Sequence, residues 1–255
     1  TWKQQYETFT SADMAALMGQ PVDPGLKAFG DVLKSGHNHR HGERCDYCQQ
    51  AGGQIGFASS VMLLRGDIEA PVGGVPDELI AQGLKEVVMH EVGHTLGLRH
   101  NFKASSWKTL AEIDNPALAV GEATVASVMD YTPTNIAPKG QKQGLYYTGT
   151  LGPYDYWAIE YGYKPIMGSE PEELKKIASR CGEPGLDYLT DEDTRGSIDS
   201  DPLSNRFDLG KDPLEFARRE TKTSAELWAQ VVDRAVVDGD GFLVLNHGVV
   251  KQFAN

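Results

Sequence analysis

The sequence predicts a predominantly α-helical protein, an α+β chain with little sheet. In several segments apolar residues recur at the helical period of 3.6, and Pro, Gly or Ser residues stand where these segments end. Apolar residues make up 40% of the 255 residues and charged residues 24%, values that are typical of globular domains. A chain of this length and composition can bury a sizeable core.

Helices are predicted on both sides of one long central helix. Two short N-terminal helices are separated by a stretch with two prolines and a glycine, and amphipathic segments recur in the second half. The final segment, residues 241–250, is interpreted as either a strand or the start of a truncated element. The predicted flanking helices cover residues 11–19, 26–34, 48–64, 152–161, 170–180 and 214–237.

The central helix is predicted to begin at Pro76-Asp77. Proline suits the first helical turn, and acidic side chains there are favoured by the helix dipole. Gly97 is predicted to end the helix, because glycine readily adopts the left-handed conformation of a helix C-terminus. The apolar positions between these two ends broadly follow the helical period: Leu79, Leu84, Val87, Val88, Val92 and Leu96.

The most informative segment is His90–His100, which reads HEVGHTLGLRH. His90 and His94 are four residues apart on the predicted helix, so both imidazoles leave the same face. A sharp turn at Gly97 can bring His100 back as a third metal ligand. Three protein ligands leave a position open for water, as in catalytic zinc sites, although iron, cobalt and nickel also accept imidazole.

Glu91 lies beside the first histidine and can reach a water held on the metal. We therefore expect it to take a proton from that water and to deliver it later to the leaving amine. The alternative is a helix with two solvated surface histidines. The eleven-residue pattern fixes five positions and favours the metal site, because it is far more specific than a bare HExxH.

The segment HEVGHTLGLRH, followed by Ser127–Tyr131, resembles the metzincin zinc metalloproteases with their Met-turn. The resemblance implies a zincin core with an active-site helix, a Met-turn and a C-terminal helical subdomain. Met129 matches the methionine that lies beneath the zinc ligands. Tyr131 matches a tyrosine that, in astacin-like and serralysin-like members, swings between the metal and the oxyanion. The alternative for Tyr131 is a half-buried packing residue.

Together with Leu151–Gly162, these motifs also resemble large secreted bacterial proteases of this type. The resemblance covers about residues 77–163 and implies a zinc-dependent endopeptidase that acts on a protein or peptide substrate. It implies a secreted, periplasmic or cell-surface location. We expect residues 1–165 to form the catalytic core and residues 166–255 an acidic, mainly helical subdomain. The chain starts without a methionine or signal peptide and is expected to belong to a larger polypeptide.

The chain departs from the metzincin pattern in one respect. Metzincins usually place several strands between a backing helix and the active-site helix. Here only Arg65–Pro76 separates the two predicted helices, and this segment cannot hold four strands of the usual 5 to 6 residues. Either the sheet lies upstream, or the cleft is built differently.

Two further clusters are candidate metal sites. The first could supply ligands to a structural zinc, form a local disulfide or be a solvated loop. The second lies in an acidic, turn-rich segment and could bind calcium, although most acidic runs are solvated surface. The residues are His37, His39, His41, Cys45 and Cys48 in the first cluster, and the carboxylates from Asp191 to Asp212 in the second.

The net charge of −12 gives no general electrostatic basis for binding nucleic acid or anionic lipid. No apolar run approaches the roughly 20 residues of a membrane span. Two other functions remain open beside the endopeptidase. One is a non-catalytic binding or assembly module stabilised by zinc, and the other is a zinc hydrolase acting on a non-peptide amide.

Overall fold

The computed structural model describes residues 46–67, 76–118, 121–194 and 201–235. This part of the chain is rich in helix and contains no strand, as the sequence predicts. The α-helices are α1 (Asp46–Arg65), α2 (Asp77–Thr95), α3 (Leu110–Ile113), α4 (Pro153–Tyr163), α5 (Glu170–Ala178), α6 (Asp191–Thr194) and α7 (Pro213–Ala235). Two short 3-10 helices cover Ala104–Trp107 and Ser179–Gly182.

The predicted helices over residues 48–64, 152–161, 170–180 and 214–237 are confirmed as α1, α4, α5 and α7. The central helix is confirmed as α2. Sequence periodicity missed α3 and α6, because one turn is too short to show a period. The expected helices over residues 11–19 and 26–34, and the element at 241–250, lie outside the described residues.

The chain divides into two compact units. One unit comprises Thr1–Ile80 and Arg219–Asn255, and the other comprises Ala81–Arg218. In the first unit, Arg65 at the end of α1 lies 3.7 Å from a carboxylate oxygen of Glu226. The predicted division into residues 1–165 and 166–255 stays a prediction. Among the described residues, no helix combines the length and the apolar character needed to cross a bilayer.

The second unit contains every described residue of the candidate site. One part of its core joins α3 to the start of α7 and to the loops between them, through Leu110, Ile113, Val125, Leu209 and Phe216. Elsewhere in this unit, the indole N–H of Trp157 on α4 donates to the carbonyl of Ile177 on α5. The candidate site combines α2, which carries His90 and His94, with loops that carry His100 and Met129.

Candidate metal centre

Helix α2 carries the first two histidines and ends as the sequence predicts. Gly97 has a φ of 85°, which residues with a Cβ rarely adopt. The N–H of Leu98 donates to the carbonyl of Gly93, and the N–H of Gly97 to that of His94, both at 3.0 Å. This pair of hydrogen bonds is a Schellman motif. It reverses the chain direction and leads directly into His100.

The structure brings His90, His94 and His100 together. One ring nitrogen from each lies within 4.8 Å of the others. The ring centroids are 4.6 to 5.4 Å apart. Three ring nitrogens this close together could hold one metal ion. No other group of three potential ligands was found in the part of the chain that the structure describes.

Main-chain carbonyls orient the two helical histidines. Nδ1 of His90 lies 2.7 Å from the carbonyl oxygen of Val128, and Nδ1 of His94 lies 3.0 Å from that of Leu98. A carbonyl oxygen only accepts, so each Nδ1 carries the proton. In the neutral imidazole Nε2 then carries the lone pair that a metal needs.

A side chain orients the third histidine. Nδ1 of His100 donates to Oδ2 of Asp191 at 2.8 Å. The other carboxylate oxygen of Asp191 accepts from the Arg206 guanidinium at 3.0 Å. Both side chains of the His100–Asp191 pair are about four-fifths shielded from solvent, with exposed fractions of 17% and 20%. The proton is again on Nδ1, so all three imidazoles present Nε2.

Met129 lies beneath α2, at the position that the Met-turn resemblance implies. Its side chain is fully buried. A Cβ on Gly93 would collide with Sδ of Met129. Glycine between Glu91 and His94 therefore lets the sulfur pack directly against the helix backbone.

Asp155 on α4 supports the Met-turn from behind. Its carboxylate accepts hydrogen bonds from the Ser127 hydroxyl at 2.6 Å, from the Val128 N–H at 3.0 Å and from the Gly152 N–H at 2.8 Å. Burial raises the pKa of Asp155, although these three donors act in the opposite direction. Asp155 thus anchors the N–H of Val128, the residue whose carbonyl orients His90.

Tyr131 reaches the histidine cluster. Its hydroxyl lies 2.9 Å from Nε2 of His100, and its ring contacts Phe102 and Phe207, with centroids 5.0 and 5.7 Å away. The side chain is buried. Tyr131 therefore packs in the core with its hydroxyl at Nε2 of His100, and its catalytic role stays a prediction.

Glu91 follows His90 on α2, with a half-buried side chain. Among the described residues no hydrogen bond or ion pair engages its carboxylate. The role of Glu91 as a general base stays a prediction.

Hydrogen bonds hold the loop after His100 to two segments that are distant in the sequence. The Asn101 N–H donates to the Met129 carbonyl at 3.0 Å, and its buried amide group binds the main chain at Asp187 and Leu189. The Phe102 N–H donates to the Leu189 carbonyl at 2.8 Å. The chain just before the acidic segment is therefore held against the loop that follows His100.

Two buried carboxylates meet at Ser105, five residues after His100. Its N–H donates to Asp130 at 2.8 Å and its hydroxyl donates to Asp208 at 2.7 Å. Burial raises the pKa of Asp130 well above its usual range, and the charge of Asp208 adds to the effect. Burial also raises the pKa of Asp208.

The two other candidate metal clusters have different outcomes. His37, His39, His41 and Cys45 lie outside the described residues, as does the side chain of Cys48. Most described carboxylates of the acidic segment bind cations, N–H groups or hydroxyls of the protein itself. Calcium binding there stays a prediction. The partners include Arg206 for Asp191, Arg99 for Glu192, the Thr190 N–H for Asp193, Lys103 for Asp201, Ser105 for Asp208 and the Leu214 N–H for Asp212.

Sequence reasoning missed Asp155 and Asp191. Asp155 could have been found, because an acidic residue at the third position of a helix often caps its start, as it does here through the Gly152 N–H. For Asp191 no local signal exists, since its partner lies 91 residues away.

A model of the Met-zincin family matches residues 73–254, which is more than half of the chain. No curated protein and no solved structure matches the chain. The matched range includes the three histidines, the Met-turn and the acidic segment.

Proposed function

The chain belongs to the Met-zincin family, and we propose that it is a zinc-dependent endopeptidase. One observation carries the proposal beyond the family. Three imidazoles converge, and in each the proton is on the outward-facing Nδ1, so the inward-facing nitrogens are those of a metal ligand set.

The donor set fits zinc. Three neutral imidazoles leave one coordination position open, which is the arrangement of catalytic rather than structural sites. When bound, zinc supplies Lewis acidity, which polarises a carbonyl group and acidifies a water molecule. We propose His90, His94 and His100 as the residues that hold the ion. Calcium binding by the carboxylates from Asp191 to Asp212 stays a separate prediction.

Glu91 and Tyr131 are the proposed catalytic residues. Glu91 accepts a proton from the attacking water and returns it to the amine that leaves when the peptide bond breaks. The Tyr131 hydroxyl donates to the oxyanion that forms from the scissile carbonyl. Nε2 of His100 has one lone pair, which the tyrosine proton and a metal ion cannot share. With a metal ion held on Nε2 of His100, the hydroxyl of Tyr131 would donate to the oxyanion instead.

The proposed substrate is a protein or peptide, and the proposed site of action is outside the cytoplasm or at the cell surface. Both follow from the resemblance of the motifs to secreted proteases. The absence of strands among the described residues means that no edge strand is seen there to pair with a substrate backbone. Substrate contacts are therefore proposed for the loops and helices around the histidines.

Digestion of casein and of a peptide library by the zinc-loaded chain tests the proposal. We expect cleavage at internal peptide bonds. Glu91→Gln should lower the rate by about 10²- to 10⁴-fold, the usual contribution of a general base, with zinc retained. Glu78→Gln, an exposed acid on the same helix, is the matched control and should cleave normally.

Zinc binding without cleavage would instead favour the non-catalytic module. Cleavage of amides in small molecules but not of peptides would favour the alternative hydrolase. Equal rates for Glu91→Gln and the wild-type chain would exclude Glu91 as the general base.

A further inference from the structure

The three candidate ligands differ in how they are held. Carbonyl oxygens of Val128 and Leu98 orient two of them, and these carbonyls lie in the Met-turn and at the end of α2. Among the described residues, the ring of His100 is oriented instead by an ionisable side chain. That side chain, Asp191, comes from the acidic segment, to which the family motifs assign no role.

We propose that Asp191, fixed by Arg206, is a positioning residue that orients the third ligand His100 and strengthens the hold of the site on its metal. The proposal rests on the proposed function, because it takes His100 to be a zinc ligand.

The carboxylate is held on both sides. One oxygen accepts from His100 at 2.8 Å, and the other accepts from the Arg206 guanidinium at 3.0 Å. The exposed fractions of the Asp191 and Arg206 side chains are 20% and 17%, so solvent screens the pair only partly. An anion held in this way has little freedom to rotate away from the imidazole.

Arg206 is fixed in turn by aromatic rings. Its guanidinium carbon lies 4.7 Å from the ring centre of Phe102 and 5.6 Å from that of Tyr131. Cation–π contacts at these distances attract the guanidinium to the rings and limit its freedom. The next residue, Phe207, donates its N–H to the Tyr131 carbonyl at 2.7 Å. The main chain beside Arg206 is therefore tied to the Met-turn side of the site.

The chemistry of the pair favours metal binding. A carboxylate that accepts from Nδ1–H keeps the proton on that nitrogen and increases the electron density at Nε2. Loss of such a partner typically weakens metal binding by about 10- to 100-fold. A main-chain carbonyl fixes the tautomer without adding a negative charge. Asp191 is thus expected to contribute more to metal affinity than either carbonyl.

The neighbouring residue offers a matched control. Glu192 lies in the same short helix, α6, and also binds an arginine, with both oxygens 2.7 Å from Arg99. Its side chain is 69% exposed, and its carboxylate binds Arg99 instead of a histidine. Glu192→Gln therefore removes an equal charge nearby and leaves the orientation of His100 intact.

Competition with a zinc chelator measures the affinity of the full chain for zinc. We expect Asp191→Ala to weaken zinc binding by about 10- to 100-fold. Asp191→Asn, which keeps an acceptor but loses the charge, should lie between Asp191→Ala and the wild-type chain. Glu192→Gln should bind zinc as the wild-type chain does. Circular dichroism without zinc verifies that each variant is folded.

A second readout uses no metal. Two-bond ¹H–¹⁵N spectra of the metal-free chain show which nitrogen of His100 carries the proton. We expect Nδ1–H alone in the wild-type chain and a mixture of tautomers in Asp191→Ala. A change in folding alone would alter the histidines together, whereas this effect is confined to His100.

Four results would overturn the inference. Wild-type affinity in Asp191→Ala, or an equal loss in Glu192→Gln, would show that Asp191 does not position His100 and would leave the proposed function intact. No zinc binding by the folded wild-type chain would remove the proposed function and this inference together. If Asp191→Ala does not fold, Asp191→Asn decides, and an unchanged affinity and tautomer there overturn the proposal.

Discussion

The two halves of the candidate site are built in different ways. On the α2 side, His90 and His94 share one helical face, and main-chain carbonyls orient both rings. On the other side, His100 leaves a tight turn, and a carboxylate 91 residues away orients its ring. The side with His90 and His94, here called the helical half, depends on local spacing and backbone geometry. The side with His100, here called the third-ligand half, depends on the packing of distant side chains.

The difference indicates where each half can fail. A main-chain carbonyl moves only when the backbone moves, so the helical half should be sensitive to changes in packing. A side-chain acceptor can be deleted without moving the backbone, so the third-ligand half should be sensitive to single polar substitutions. The predictions below run from the largest expected effect to the smallest.

Asp155→Ala breaks the support of the helical half. The substitution leaves the buried N–H groups of Val128 and Gly152 without their acceptor, and each such loss costs about 1–3 kcal/mol. We expect the free energy of unfolding in urea to fall by about 3 kcal/mol. Glu160→Ala, on the same helix but forming surface ion pairs, should cause a much smaller loss. Equal losses would contradict the assigned role of Asp155.

Tyr131→Phe tests the third-ligand half without removing a ligand. The ring contacts persist, and only the hydroxyl near His100 is lost. We expect kcat to fall by about 10²-fold, as for the loss of one oxyanion donor. Zinc affinity should not fall, because the hydroxyl competes for the same lone pair. Unchanged kcat would leave Tyr131 as a packing residue.

Gly93→Ala inserts a methyl group between α2 and Met129. The new Cβ would collide with Sδ, so the methionine or the helix must shift. We expect a loss of about 1–3 kcal/mol in the free energy of unfolding, as in other overpacked cores. Gly162→Ala, in α4, is the control, since its Cβ would meet nothing within 4 Å. It should be neutral or slightly stabilising, because alanine favours helix.

Asp130→Asn changes the pH dependence of stability. Burial raises the pKa of Asp130 in the folded chain, so between the unfolded and folded pKa values the folded chain holds more protons. The stability that comes from the raised pKa of Asp130 is therefore complete below its unfolded pKa, about pH 4, and is lost as pH rises through the folded pKa. Asp130→Asn should lose less stability than the wild-type chain between pH 4 and 8 in urea unfolding.

Asp201 provides a control of opposite sign. The Leu203 N–H and Lys103 lower the pKa of its carboxyl group. Its contribution is present above the unfolded pKa and is lost as pH falls through the folded value. Asp201→Asn should therefore remove stability at neutral pH and leave stability in acid unchanged. Parallel pH profiles for both variants would contradict the opposite assignments.

The helical half of the site could be predicted from the sequence. A helix alone brings His90 and His94 to the same face, because they are four residues apart. Gly97 indicates the turn, because glycine readily adopts the positive φ that a turn of this kind needs. Met129 and Tyr131 were identified by their resemblance to the Met-turn, and the structure places Met129 against Gly93 of α2 and the Tyr131 hydroxyl at His100. Local spacing and a specific motif were sufficient in these cases.

The third-ligand half could not be predicted in the same way. Asn101, Asp191 and Arg206 make contacts across a large sequence separation, and a single sequence contains no record of which distant residues meet. Composition was misleading for the acidic segment, because seven carboxylates in a turn-rich stretch favour solvated surface. The structure instead uses several of them to bind neighbouring cations and N–H groups.

Zinc content, measured by mass spectrometry on the purified full chain equilibrated with zinc, tests the central claim most directly. His94→Ala is the paired sample, because it removes one ligand on the helical face. The account predicts about one zinc ion more per chain in the wild-type protein than in the variant. Equal zinc in the two folded samples, or none in either, would contradict a metal centre formed by the three histidines.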